Sequence, residues 1–217
     1  MTAQVLTLPV RHTAQAKNGT VPPERQKNVD VRSREYLTEP EVEQLRKAAA
    51  KGFYGHRDRT AILLCFRHGL RASELCALTW DDVADLGHAN RATLNVRRLK
   101  GSVSGVHPLE PDEVIALRKL RQEHPDDVYV FTTERGGPMT PAGFRKMLSR
   151  LGETAGFGSL KIHPHMLRHS TGYALANREG VTTRDVAEVL GHANMANTKR
   201  YAAVNANRFR GIWRRHK

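Results

Sequence analysis

Residues 163–169 read HPHMLRH: three imidazoles, one guanidinium and a proline in seven positions. Proline is tolerated in the first turn of a helix, where its missing N–H would have had no partner. A helix begun at Pro164 carries His165 and Arg168 on one side, with His169 one turn beyond His165. A metal site, a proton relay or a grip on phosphate could each use that mixture. The His165/His169 spacing suits zinc, but a catalytic zinc helix of the HExxH type also needs a glutamate, and no cysteine or acidic cluster nearby offers a third ligand. A phosphate grip makes better sense, since a guanidinium donates two parallel hydrogen bonds to phosphate oxygens. On these seven residues alone, an arginine and a histidine on a solvated face would account for the pattern as well.

The whole chain narrows the choice. Its 217 residues carry 35 Lys and Arg against 22 Asp and Glu, a formal charge of +13, so the expected partner is a polyanion. Nucleic acid comes before an anionic membrane surface. The apolar share of 39 % is enough for a core without disulfide staples. No run approaches the roughly 20 apolar residues of a membrane span, and the first residues lack the apolar stretch of a signal peptide. A soluble, cytoplasmic protein is therefore expected. Cys65 and Cys76 sit in the apolar contexts LLCF and ELCAL, without CxxC spacing, and read as buried reduced thiols.

Residues 1–35 mix Thr, Gln, Lys, Asn and Pro without periodicity and read as a flexible basic arm. Order begins at YLTEPEVEQLRKAAAKG (36–52), where Thr38 and Glu41 fit a capping box and Gly52 a C-cap. HRDRTAILLCFRHGL (56–70) reads as an apolar helix closed by Gly69, and RASELCAL (71–78) as a short helix after a tight turn. ATLNVRRLKGSVSGVHPL (92–109) alternates on both sides of a Gly- and Ser-rich turn, the pattern of a β-hairpin. Helical periodicity returns from Pro111, interrupted by a brief VYVF strand (128–131) and the turn ERGGPMT. Further helices are expected at about 140–156, 164–178, 183–190 and 196–203. The fold class is mainly α (α+β): one helical domain, residues 36–217, with a small antiparallel sheet. In its C-terminal tail, 202–217, Phe209 and Trp213 would form a short apolar stripe that packs on its own domain or docks on a neighbouring protomer.

Four more segments bear on the phosphate reading. GLRASELCALTWDDV places Arg71 directly after a glycine turn, with Glu74 one helical turn later to orient it. RLKGS places Lys100 at the hairpin tip, and VLGHANMANTKRY places His192 nine residues before Tyr201. Together with HPHMLRH these segments resemble the tyrosine recombinase (phage integrase) family over about residues 36–217. IHPHMLRHSTGYALAN and the late RFRGIW look closest to the small recombinases of fimbrial phase switches.

The resemblance implies a site-specific DNA recombinase that cleaves and rejoins duplex DNA through a 3′-phosphotyrosyl intermediate, by inversion, integration or excision. It implies that Arg71 and Arg168 hold the scissile phosphate, that His165 and His192 hydrogen-bond it and manage protons, and that Lys100 protonates the leaving oxygen. Tyr201 would be the nucleophile and Glu74 a support behind Arg71, with His163 and His169 left to the scaffold: His163 an exposed turn residue, His169 a packed neighbour of the site. The residue types suit the chemistry. Attack on a phosphodiester builds negative charge on the nonbridging oxygens, which fixed cations stabilise. Only about one tyrosine in a thousand is phenolate at neutral pH, so a base or a strong positive field is needed.

No cofactor and no metal are implied, since the phosphodiester energy stays in the covalent link; the chain has neither a GxxxxGK[ST] loop nor a paired acidic metal site. The implied partners are double-stranded DNA, three further copies in a homotetramer, and a host DNA-bending protein. Two alternatives are type IB topoisomerase-like strand relaxation and a non-catalytic DNA-binding regulator. Larger members carry a separate DNA-clamping domain ahead of the catalytic one, which residues 1–35 are too few to form.

Overall fold

The computed structural model describes residues 34–98, 101–158 and 160–202. The arm through Ser33, the hairpin-tip residue Lys100 and the tail with Phe209 and Trp213 lie outside them. In chain order the elements are α1 (Glu39–Ala50), α2 (Gly55–Arg67), α3 (Ala72–Cys76), β1 (Val83–Ala84), β2 (Thr93–Val96), β3 (Gly105–Pro108), α4 (Pro111–Glu123), α5 (Pro141–Thr154), α6 (Pro164–Ala176), α7 (Thr183–Leu190) and α8 (Lys199–Ala202). Short 3-10 turns occupy Trp80–Asp82 and Met195–Asn197. The expected class, mainly α with a small antiparallel sheet, is the one observed.

Local chemistry starts most helices where the sequence says it should. Glu41 accepts from the Thr38 N–H at 2.7 Å to open α1, and the Thr140 hydroxyl accepts from the Gly143 N–H at 3.0 Å to open α5. Proline occupies the first or second position of α1, α4, α5 and α6. Gly191 ends α7 in the left-handed region, φ 63°, where a side chain would be strained. The core gathers Leu45, Ile62, Leu64, Leu75, Leu117, Phe131, Phe144, Leu148 and Leu167, all buried, so α1 to α6 share one apolar interior. A second cluster of Val186, Leu190 and Tyr201 joins α7 and α8 to α6.

Four expectations need correction, one of them the helix over about 196–203, which the 3-10 turn Met195–Asn197 interrupts before α8. VYVF forms no strand: Tyr129 makes a single bridge to Thr79, because no neighbouring strand runs alongside to extend the pairing. The hairpin has instead a third partner, β1, in the stretch that reads as a polar break, with Val83 opposite Leu94 and Ala84 opposite Thr93. Gly52 does not serve as a left-handed cap: the capping residue of α1 is Lys51 in the right-handed region, and Gly52 carries the chain straight into α2 through the bond from the Gly55 N–H to its carbonyl. Both Cys65 and Cys76 are free and buried, as expected, and burial pushes the Cys76 thiol up to about 12. Among the described residues no helix is long and apolar enough to cross a membrane.

Candidate active site

Arg71 stands at the N-terminal boundary of α3, where the chain emerges from a turn made possible by Gly69 at φ 56°. Its backbone N–H donates to Glu74 Oε2 at 2.9 Å and its Nη1 to Glu74 Oε1 at 2.6 Å, while Nη2 donates to Ser102 Oγ at 2.8 Å. The guanidinium is thereby aimed, as the spacing in RASE predicts. Burial pushes the Glu74 carboxyl up, but the Arg71 N–H and two guanidinia outweigh it and leave the pKa below the ordinary carboxylate value.

The second guanidinium is Arg98, which the sequence reading does not single out. Its side chain is 1 % exposed and its Nη1 reaches Glu74 Oε2 at 2.7 Å. Moving an unpaired charge into such a place costs several kcal/mol. Here one carboxylate and a set of backbone carbonyls meet it.

Helix α6 starts at Pro164, with His163, half-buried, rather than exposed in a turn, at the position before it. Arg168 is 3 % exposed and donates through Nη1 to the Gly69 carbonyl and through Nη2 to the Leu190 carbonyl at 2.5 Å. Burial, then the neighbouring Arg98 and Arg71, bring its pKa down to about 10, so it remains cationic at pH 7. His165 lies on the exposed side of the helix; burial of its ring, then Arg168 and Arg71, lower its pKa. Its ring meets that of His169 edge to face at 4.7 Å.

His192 follows Gly191 directly, and its N–H donates to the Ala187 carbonyl at 2.8 Å, which fixes the residue against the end of α7. Its Nδ1 is 2.8 Å from the hydroxyl of Thr198, a fully buried residue. Burial and the positive neighbours Arg168 and Arg71 depress its pKa to about 4. A neutral imidazole results at pH 7, free to accept a proton.

Tyr201, on α8, is 3 % exposed. Its ring stacks on that of His192 at 6.5 Å, with planes 11° apart, and takes the edge of Tyr173 at 5.1 Å. Against its other side lies Gly172 of α6, where a Cβ would come within 2.5 Å of the ring. Its hydroxyl is 2.9 Å from Nδ1 of His169. Burial, with His165 next in weight, depresses His169 to about 4, so this imidazole is neutral as well. Burial also raises the Tyr201 phenol above its ordinary value, in spite of Arg200 and Arg168. In this arrangement Tyr201 is a protonated phenol held from below.

The described site thus brings together Arg71, Glu74, His165, Arg168, His192 and Tyr201, from α3, α6, the end of α7 and α8. Two members escape sequence reading. His169 falls where a packed neighbour of the site is expected, but its bond to the Tyr201 hydroxyl spans 32 residues. Arg98 is one of several basic residues beside Lys100, and nothing local marks it as buried. Among the described residues no group of three or more His, Cys, Asp or Glu side chains has the placement of a metal site.

Residues 35–208 match the phage integrase family. The chain is 43 % identical over 191 residues to the type 1 fimbriae regulatory protein FimB of Escherichia coli (strain K12), spanning 86 % of this chain and 92 % of that one. It is 37 % identical over 172 residues to the tyrosine recombinase XerC of Bacillus pumilus, covering 75 % of this chain and 54 % of that one. Among solved structures it resembles the XerH site-specific recombinase bound to difH substrate in a pre-cleavage complex, with a TM-score of 0.69 over 84 % of this chain and 55 % of that one; at 23 % identity that likeness speaks for the fold.

Proposed function

The chain belongs to the phage integrase family and is a site-specific tyrosine recombinase acting on DNA, and we propose that Tyr201 is its nucleophile. In this reading the Tyr201 oxygen attacks the scissile phosphorus, a 3′-phosphotyrosyl bond forms and the bond from phosphorus to the 5′ oxygen breaks. Arg71 and Arg168 neutralise charge on the nonbridging oxygens. His165 and His192, both with lowered pKa values, bond the phosphate and take up the phenolic proton. Lys100, which lies outside the described residues, gives a proton to the departing oxygen. Rejoining reverses the steps with a 5′ hydroxyl from another strand, so neither a metal nor a nucleotide cofactor is called for. Glu74 orients Arg71 without touching the phosphate.

The observation that carries this reading is that Arg71, His165, Arg168 and His192, from three separate elements, form one positively charged cluster beside the buried Tyr201 of a fourth. Residues 36–217 would form the catalytic domain, with 1–35 as a basic arm tracking phosphates. A homotetramer on paired sites, a host DNA-bending protein and a cytoplasmic location belong to the same reading. A duplex nicked beside the cleavage site tests it by trapping protein on DNA. A covalent adduct is expected with the wild type, none with Tyr201→Phe, and no change on chelation. An adduct that persists in Tyr201→Phe removes the assignment, and loss on chelation brings back a metal. Supercoiled plasmid with two sites separates recombination from strand relaxation.

A further inference from the structure

The residues that lead into α1 are fastened along α6. Leu37 is buried, and its backbone N–H donates at 2.7 Å to the hydroxyl of Ser170, itself 1 % exposed, which donates onward to the Met166 carbonyl at 2.7 Å. Arg34 Nη2 donates to Glu41 Oε1 at 2.6 Å, so the start of the segment is tied to the carboxylate that opens α1. Between these two ties stands Tyr36, half-buried, with the Arg34 guanidinium 5.5 Å from the centre of its ring.

Tyr36 packs on Tyr173, with ring centres 4.0 Å apart and planes 33° apart. Ser170 and Tyr173 are three apart in α6, so the anchor of Leu37 and the partner of Tyr36 lie on one side of that helix, a turn from each other. The Tyr173 ring also meets that of Tyr201 edge to face, at 5.1 Å and 89°. It is thus held between Tyr36 and Tyr201. Gly172 and His192, which close on Tyr201 as well, are fixed by backbone bonds, the first within α6 and the second through its N–H to the Ala187 carbonyl. Tyr173 is half-buried on a helix, and its ring changes rotamer freely unless a neighbouring side chain fixes it. Tyr36 is that neighbour.

We propose that Tyr36 is a positioning residue for the nucleophile: stacked on Tyr173, it holds that ring against Tyr201 and raises the cost of bringing the phenol out to the scissile phosphate. The proposal rests on the reading of Tyr201 as the nucleophile. An aromatic contact that must be broken before reaction slows it by about two- to tenfold, so loosening Tyr173 should quicken cleavage by about that factor. A residue that served only the stability of the fold would, when removed, slow the reaction or leave it unchanged. Single-turnover trapping on nicked duplex, at saturating DNA and one temperature well below every melting midpoint, is measured for six proteins. They are wild type, Tyr36→Ala, Tyr36→Leu, Tyr36→Phe, Tyr173→Ala and the double variant Tyr36→Ala with Tyr173→Ala.

Tyr36→Ala is expected to trap about two- to tenfold faster than wild type even as its melting midpoint falls. Tyr36→Leu, which keeps apolar bulk without a ring face, should do the same if the alanine variant fails to fold, and Tyr36→Phe should return the wild-type rate. Tyr173→Ala should be accelerated too, and the double variant no further, since Tyr36 acts through that ring. Nitration of Tyr201 in the DNA-free protein, read by mass spectrometry, should quicken in parallel. Trapping no faster than wild type, unchanged nitration, or accelerations that multiply in the double variant overturn the role of Tyr36 and leave Tyr201 as the nucleophile. Adding Tyr201→Phe to each protein should abolish the adduct; if an adduct persists there, the reading of Tyr201 fails and the proposal falls with it.

Discussion

Replacing Glu74 by glutamine keeps its size and removes its charge, and the consequence can be worked from the bonds it makes. One carboxylate oxygen faces Arg71 Nη1 at 2.6 Å, and the other faces both the Arg71 N–H at 2.9 Å and Arg98 Nη1 at 2.7 Å. An amide leaves one acceptor and turns an NH₂ toward a guanidinium, donor against donor. Breaking a buried pair costs about 3–5 kcal/mol. Arg71, with 28 % of its side chain exposed, recovers part of that from water, whereas Arg98 at 1 % does not. A loss of about 3 kcal/mol is therefore expected, which for a domain of this size lowers the melting midpoint by about 6–12 °C. Glu74 carries a depressed pKa in the fold, so its contribution is complete above the unfolded carboxylate value of about 4.3 and fades as pH falls through the folded value. The gap between wild type and Glu74→Gln should accordingly close in acid. Thermal melts at pH 7 and near pH 3, followed by circular dichroism, read both effects, and trapping on nicked duplex at pH 7 should slow by about tenfold or more as Arg71 loses its aim. A variant that melts within about 2 °C of wild type at pH 7 and traps at the same rate would refute the reasoning.

Three further outcomes follow from the same geometry. His169→Leu leaves the buried Tyr201 hydroxyl without its hydrogen-bond partner and should cost about 1–3 kcal/mol in urea unfolding, whereas adding Tyr201→Phe removes both partners and should recover most of it; simple additivity would contradict the bond. Gly191→Ala forces a Cβ into a left-handed position and against the Val103 carbonyl, so a loss of at least about 1–2 kcal/mol and slower trapping are expected, and a wild-type melt would count against the geometry. His107, His169 and His192 all have folded pKa values of about 4, below the unfolded value of about 6.5, so the unfolded chain binds more protons between those limits. Stability should decline as pH drops from about 6.5 toward 4, and a flat midpoint across that window would oppose it.

What the sequence revealed was set by short-range chemistry. The capping box at Thr38, the prolines that open α4, α5 and α6, and the glycine that ends α7 act within a few residues, so the helices they bound are legible in advance. The hairpin shows through its alternation, and Arg71 and Glu74 through a spacing of three. Strand β1, two residues long, offers too little pattern; only its pairing with Thr93 and Leu94 makes it a strand. VYVF has the composition of a strand but lacks a neighbour to pair with. The helix expected over 196–203 is broken because Met195–Asn197 closes as a 3-10 turn, with Asn194 accepting from the Ala196 N–H before α8 begins. Arg98 was invisible for a related reason, since its acceptors lie 24 to 91 residues away in the chain.

The seat of Tyr201 has a kinetic meaning. With its hydroxyl bonded to His169 and its ring closed in by Gly172, Tyr173 and His192, the phenol cannot reach a phosphorus atom without giving up a hydrogen bond and leaving an apolar niche. That reluctance is the same for every DNA sequence the protein touches, whereas in the proposed mechanism the grip of the surrounding cations on the phosphate would differ from site to site. Weakly held DNA would dissociate before the tyrosine moved. With Tyr201 as the proposed nucleophile, the niche would work as a delay that lets differences in how long sites are held show in how often they are cut.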